Sequence, residues 1–322
     1  MMKRLCLLLT LCCGTSQAAA DLFKLPGYQD EDGAILLQAH GRHVDPYFAM
    51  KALLTAEELG LSIAPAADAW TAWLAPRQES NGSFPRFERQ TNGDWRRAAD
   101  ADADDSTLAL WISLLSRRYR QQDMPPALQA SLARARRALW KLRQPRSGIY
   151  DYAAGAKLGY LMDNVEVYAA LRDDCARTGA GCRRVRQLAA ALPKAFWEAK
   201  TRRWRTASRD LPPVAFYPEA AAQLFPKMAG LPPMPGQASF DAWLLGEGRP
   251  WLAQDPPQLD FPWGLLALAA LRDGREDAAR AWLRQAAPAR GTPRWNVLEE
   301  AVFQGLALRL AATAEPEQRL EE

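Results

Sequence analysis

Two kinds of helical segment alternate along this chain, and that alternation constrains the fold more than any single motif. One set is apolar on nearly every face and opens with an aromatic or acidic residue: "DPYFAMKALLTAEELG", "DDSTLALWISLLSRRY", "MDNVEVYAALRDD", "FYPEAAAQLFPKMAG", "DFPWGLLALAALRDG" and "WNVLEEAVFQGLALRL". Between them lie more amphipathic segments: "APAADAWTAWL", "PALQASLARARRALWKL", "RRVRQLAAALPKAFWEA", "QASFDAWLLGEG" and "EDAARAWLRQA". Apolar residues recur at helical spacing throughout, and strand-like alternation is scarce. A helix that is apolar all round must be buried on all sides, whereas an amphipathic one covers a core with one face.

The amphipathic segments end in a recurring signature. "RQESNGSF" (Arg77, Gln78, Gly82, Phe84) matches "RQPRSGIY" (Arg143, Gln144, Gly148, Tyr150), and "RQAAPARGTPRW" (Arg284, Gln285, Gly291, Trp295) is a looser copy. Glycine ends a helix in a left-handed conformation and the aromatic folds back on it. Such recurrence marks one supersecondary unit used repeatedly. Connections from apolar to amphipathic segments are short, and those leading back are long. The pattern predicts an all-α (α/α)6 toroid, with six inner helices and at least five outer ones. An open solenoid of helical hairpins is the rival arrangement.

The arrangement resembles the six-hairpin glycosidase superfamily and, more distantly, the α/α toroids of terpene cyclases and prenyltransferases. The resemblance covers nearly all of residues 21–314 by pattern rather than by a diagnostic motif. It implies that the long loops and the inner N-termini share one face, and that a cleft opens there. Fold alone does not establish function.

The first twenty residues read "MMKRLCLLLTLCCGTSQAAA". A short basic region, an apolar run and a small-residue stretch make a secretory signal peptide with cleavage near Ala18 to Ala20. The run is shorter than the ~20 residues a bilayer span needs, and Leu11 before Cys12 argues against lipidation. No later stretch is apolar enough to span a membrane. The chain is therefore expected to be periplasmic or secreted, with residues 21–314 as one domain and "EPEQRLEE" (315–322) as a disordered tail. Beyond the leader only Cys175 and Cys182 remain, around "RTGAG". In an exported protein that spacing reads as a disulfide pinning a turn, with two free thiols as the alternative. The 322 residues carry a formal net charge of +4, and Lys3 and Arg4 of the leader supply half of it. That balance offers no argument for nucleic acid.

Ten carboxylates fall at the inner N-termini or in their loops: Asp45, Asp102, Asp104, Asp105, Asp163, Glu166, Glu219, Asp260, Glu299 and Glu300. Among them lie Trp95, Arg97, Tyr152, Tyr160, Tyr217, Trp263 and Trp295, the expected substrate-binding residues. Acidic groups, flat rings and a few basic donors suit a sugar chain: rings stack on the apolar face of a pyranose while polar groups fix its hydroxyls. The expected partner is a polysaccharide or oligosaccharide. For any single aromatic, core packing is the competing role.

The densest acidic run is "AADADADDST". One aspartate, Asp104 or Asp105, is expected to cap the helix that follows. The surplus needs another explanation. An EF-hand fails, because Asp105 stands where Gly is needed and Trp111 where the bidentate Glu belongs. "HGRH" supplies His40 and His43 but no third zinc ligand at a recognisable spacing, and no Gly-rich phosphate loop or G-x-S-x-G elbow occurs. No metal and no cofactor is expected. Glycoside hydrolysis needs two carboxyl groups flanking the scissile bond, one of them protonated, and crowded carboxylates raise one another's pKa. "YLMDNVEVY" offers the partner, since Asp163 and Glu166 are three apart on one helix face. The leading expectation is a glycoside hydrolase using Asp104 or Asp105 with Asp163, supported by Glu166. A non-catalytic polysaccharide-binding or scaffold protein is the alternative. A third reading comes from the cyclase resemblance: Asp102-Ala103-Asp104-Asp105-Ser106 resembles the D-x-D-D-T motif, in which Asp104 would be the proton donor. The segments at Gln78 and Gln144 likewise resemble the repeated QW motif.

Overall fold

The computed structural model describes residues 21–212, 216–255 and 259–318. The leader and its cleavage site lie outside these residues, as do the last four of the tail. In chain order, a two-residue strand β1 (His43–Val44) leads into α1 (Pro46–Glu58), followed by α2 (Ala64–Leu74). Strands β2 (Arg86–Arg89) and β3 (Trp95–Ala99) precede α3 (Asp104–Arg118) and α4 (Pro126–Lys141). Next come α5 (Leu161–Thr178), α6 (Cys182–Phe196), and a small hairpin of β4 (Trp197–Glu198) and β5 (Arg203–Trp204). The last third holds α7 (Phe216–Glu219), α8 (Phe225–Met228), α9 (Phe240–Leu245), α10 (Arg249–Ala253), α11 (Leu265–Arg272), α12 (Glu276–Ala286) and α13 (Val297–Gln318).

The apolar segments form a closed ring. α1 packs between α13 and α3, α3 against α5, α5 against α8, α8 against α11, and α11 against α13. On the outside α4 lies on α3, α6 on α5 and α12 on α11. Burial follows the sequence pattern: α3 buries twelve of its fifteen residues, while α6 buries four of fifteen. Ring closure makes this an (α/α)6 arrangement and excludes the open solenoid.

The fourth inner segment departs from the helix expected over 216–230. It is a broken path of α7, a 3-10 turn at Ala221–Gln223, and α8, with Tyr217 extended at ψ 130°. Pro218 and Pro226 each remove a backbone donor and clash with the preceding turn, so a continuous helix cannot form there. The long loops also hold more strand than expected. β1, β2 and β3 form an antiparallel sheet in which Val44 opposes Phe87 and Phe87 opposes Arg97.

The repeated glutamine signature is hairpin glue. Gln78 Nε2 donates to the Gly82 carbonyl at 2.9 Å, and its Oε1 accepts from Ser131 Oγ at 2.7 Å and Arg134 Nε at 3.0 Å, tying the loop to α4. Gly82 sits at φ +101°, and a Cβ there would meet Ala138 at 2.8 Å. Phe84 is buried against Trp111. The Gln144 copy accepts from Ser147 Oγ at 2.5 Å and donates to Asp151 at 2.6 Å. Cys175 and Cys182 form a disulfide across the α5–α6 turn. Among the described residues no helix is long and apolar enough to cross a membrane.

Candidate active site

Six inner N-termini converge on one cleft of about 280 Å3. α1 brings Asp45 and Tyr47, α3 brings Asp102 and Ser106, α5 brings Asp163, α7 brings Tyr217, α11 brings Trp263, and α13 brings Asn296 and Glu299. Asp260, Phe48 and Phe261 also line the wall, and Arg86 is the one cation on it among the described residues. The cleft is therefore acidic, and its rings gather around Tyr217 and Trp263.

The acidic run before α3 splits in four directions. Asp100 is exposed and pairs with Arg97 on the hairpin. Asp102 lines the cleft. Asp104 turns toward the hairpin side, where burial, then Asp100 and Glu79, push its carboxyl up. Asp105 points inward, fully buried between α3 and α5, and its Oδ2 has no hydrogen-bond partner. None of them caps the helix, contrary to expectation. The N-cap is Ala103, and the Tyr152 carbonyl accepts from the Asp104 N–H at 2.7 Å, which serves in place of a side-chain cap. Asn164 holds that loop in position: it donates to the Tyr150 and Tyr160 carbonyls at 2.9 Å each and accepts from the Tyr150 N–H at 2.7 Å.

Asp163 and Glu166 differ sharply although they are one turn apart. Glu166 is buried; its Oε1 accepts from Tyr47 Oη at 2.9 Å and Lys51 Nζ at 2.7 Å. Asp163 borders the cleft and has no side-chain hydrogen bond among the described residues. Burial holds its carboxyl well above the usual range, and the charges of Glu166 and Asp102 add to that. Burial, then Asp163, likewise pushes Asp105 well up. A carboxyl in such surroundings keeps its proton to higher pH.

Burial also raises Asp45 on this wall, and Glu299 is a further perturbed group there. Burial pushes it up to about 8, against the opposing pull of backbone donors at Gly264 and Trp263. The Gly264 N–H reaches its Oε2 at 2.8 Å. Asn296 caps α13 by accepting from the Leu298 and Glu299 N–H groups at 2.9 and 3.1 Å. Its Nδ2 is buried without a partner on the cleft wall.

No protein-family model matches this chain, and no curated protein sequence matches it. Solved structures do. A novel alpha-amylase from Clostridium perfringens superposes with TM-score 0.54 at 10% identity, covering 88% of this chain and 93% of that one. An endoglucanase of glycosyl hydrolase family 8 from Klebsiella pneumoniae gives 0.51 at 18% identity, covering 88% and 96%. An uncharacterized conserved protein from Thermus thermophilus gives 0.55 at 11% identity, covering 88% and 97%. The fold, an (α/α)6 toroid, is shared with these structures.

Within that toroid the expected sugar-contacting residues separate into cleft and scaffold. Tyr217 and Trp263 stack with ring centroids 4.5 Å apart, and Tyr217 is 42% exposed. Trp263 holds a left-handed backbone at φ +56°, a conformation that costs a bulky residue about 1–3 kcal/mol and persists only where the surroundings fix it. Its indole N–H donates to Asp260 at 2.7 Å and its carbonyl accepts from Trp251 at 3.0 Å. Tyr152 and Tyr160 pack on each other beside the cleft rather than on its wall, with centroids 5.5 Å apart, and Tyr160 is close enough to Asp163 and Asp102 to feel their charge.

The remaining three belong to the scaffold. Trp295 is buried, stacked on Trp282 and hydrogen-bonded to Glu300 at 2.9 Å, so it cannot meet a substrate. Trp95 packs edge-on against Trp73 beneath the hairpin. Arg97 is held on the outside of that hairpin by Glu79 and Asp100. Asp104 is likewise off the cleft wall, which removes the geometric basis for its role as a cyclase-type acid. Sequence reasoning misses Asn296 and Arg86, and it names Asp45, Asp260 and Glu299 only as members of a longer acidic set. Their signal is position, each lying at or just before an inner helix or on the strand that feeds one. Among the described residues no three metal-ligating side chains converge.

Proposed function

We propose that this chain is an exported glycoside hydrolase acting on a polysaccharide of neutral or amino sugars, with Asp163 as the proton donor and Asp102 as the opposing carboxylate. The observation that carries the reading is Asp163 itself: a carboxyl on the cleft wall, pushed well up by burial and neighbouring charge, with no hydrogen bond to hold it elsewhere. Such a group keeps its proton to higher pH than an exposed carboxyl and can deliver it to a glycosidic oxygen. Asp102 borders the same cleft from the loop just before α3 and would act on the opposite side of the sugar ring. Glu166 stands behind Asp163, and its charge supports the proton there without touching substrate. With Asp163 and Glu299 holding protons, the other three carboxyls of the wall, Asp45, Asp102 and Asp260, still outnumber Arg86 and disfavour uronic acids by like-charge repulsion. The Tyr217–Trp263 stack supplies a platform for a pyranose face. Export rests on the leader sequence and on the Cys175–Cys182 bridge, which suits an oxidising compartment.

Reducing-end release should be measured on neutral, amino-sugar and uronate polymers. Asp163→Asn is expected to lower release by roughly 10²–10⁴-fold, the usual contribution of a general acid, while leaving oligosaccharide binding in place. A binding-only toroid is the second reading, favoured by the aromatic platform, which retains a sugar chain without any proton transfer. Oligosaccharide binding with no release from any polymer would establish it. Equal activity in Asp163→Asn and wild type would remove Asp163 from the chemistry. Amino-terminal sequencing of the periplasmic fraction should find cleavage near Ala20.

A further inference from the structure

The outer face made by α4 and α6 has a chemistry of its own. Neither helix contains an aspartate or glutamate. Many arginines of the molecule are engaged by carboxylates, as Arg117 is by Asp173, Arg118 by Asp68 and, on α4 itself, Arg136 by Asp174. By contrast, Arg143, Arg146, Arg184 and Lys194 have no carboxylate partner among the described residues. The small net charge conceals this separation: acid is concentrated in the cleft and base on one outer flank.

Between the turn after α4 and the outward stripe of α6 runs a trough of about 410 Å3. Arg143 and Arg146 form one wall and Lys194 part of the other, over a floor of Gly148, Ala191 and neighbouring small residues. Trp140 stands half-exposed beside it, with the Arg184 guanidinium 4.4 Å and the Arg143 guanidinium 5.3 Å from its ring centroid. Guanidiniums stacked on an indole are pre-positioned, so they lose little freedom when they pair with an anion.

We propose that this trough binds an anionic polysaccharide of the polyuronate type, at a site separate from the cleft. Three features favour that occupant. The floor is lined by glycine and alanine, which leaves room for the apolar face of a sugar ring against it. The walls present fork-shaped donors that match carboxylates. The indole already carries guanidiniums, so a nucleic-acid base or a lipid interface would have to displace them to use it, whereas a carboxylate-bearing sugar needs only their outward N–H groups. The face would hold the protein on an acidic matrix while the cleft works on a different, uncharged chain. This proposal does not depend on the cleft being catalytic.

The test uses the purified full chain and titrates size-defined oligogalacturonate by calorimetry, with neutral dextran oligomers as control. Arg146→Glu with Lys194→Glu reverses two exposed charges and should weaken oligogalacturonate binding about tenfold or more, since each rim charge contributes modestly. Arg143→Ala, which keeps the fold's apolar contacts, should also weaken it. Binding should fall with salt, and any activity or neutral-sugar binding at the cleft should be unchanged in all variants. Unchanged oligogalacturonate affinity in the charge-reversed protein would overturn the proposal. So would tighter binding to single-stranded DNA, or to phosphatidylglycerol vesicles, than to oligogalacturonate.

Discussion

Asp163 and Glu166 sit one helical turn apart on α5, yet one is left free at the cleft and the other is held by Lys51 and Tyr47 beneath it. The Lys51–Glu166 contact is 2.7 Å, with side chains 18% and 4% exposed, so it is a buried pair rather than a surface one. Removing one partner of a buried pair leaves the other charge desolvated and uncompensated. Glu166→Ala should therefore cost about 3–5 kcal/mol in denaturant unfolding. Lys51→Met combined with Glu166→Gln should recover much of that loss, because no orphaned charge remains. An equal loss in the single and double variants would mean that the pair is not what stabilises this layer.

Glu299 gives a pH signature with a defined sign. Its folded pKa is raised from 4.5 to about 8, so between those values the folded state holds a proton that the unfolded chain releases. Stability from this group is complete below 4.5, is lost as pH rises toward 8, and stays flat above it. Glu299→Gln keeps an oxygen to accept from the Gly264 N–H and cannot ionise. The variant should unfold like wild type near pH 4 and be more stable than wild type at pH 8.5, by a margin on the order of a few kcal/mol. Parallel stability curves for the two proteins across this range would contradict it.

The ring is legible in the sequence because burial on all faces and burial on one face leave different patterns, and six segments repeat the first. The site is legible only in outline. Residue 103 is the N-cap, so Asp102 lies outside the helix, Asp104 and Asp105 lie inside it about 100° apart, and each looks in a different direction. No composition argument separates them. Trp263 and Trp295 both precede inner helices, but only Trp295 has a facing indole, Trp282, to stack on in the core. The fourth inner segment reads as a continuous helix because its apolar spacing outweighs the two prolines inside it. The basic flank is hidden in the sequence because a summed charge does not report where charges lie.

The Tyr217–Trp263 stack should report on substrate retention. Trp263 is held to the fold through its backbone carbonyl and Trp251, a contact that survives loss of the Tyr217 ring. Tyr217→Ala should therefore raise KM for an oligosaccharide about 5–10-fold with kcat little changed, the effect of losing a uniform stacking contribution of about 1 kcal/mol. The thermal midpoint should move little, because Tyr217 is 42% exposed. A fall in kcat at constant KM would instead place Tyr217 against the reacting atoms.

The Cys175–Cys182 bridge closes a short loop, with a sequence separation of 7. The turn it spans holds Gly179 at φ +67° and Gly181 at φ +74°, which places α6 directly after α5. Cross-linking so short a loop removes limited freedom from the unfolded chain, and the contribution is about 2–2.5 kcal/mol. Cys175→Ser with Cys182→Ser should lower the midpoint of thermal unfolding by several degrees and leave any activity at the cleft unchanged, since the bridge sits at the C-terminal end of α5, opposite the N-terminus that carries Asp163. Reductant should shift the wild-type midpoint by the same amount and the serine variant not at all. If reductant moves both proteins equally, the loss does not come from this disulfide.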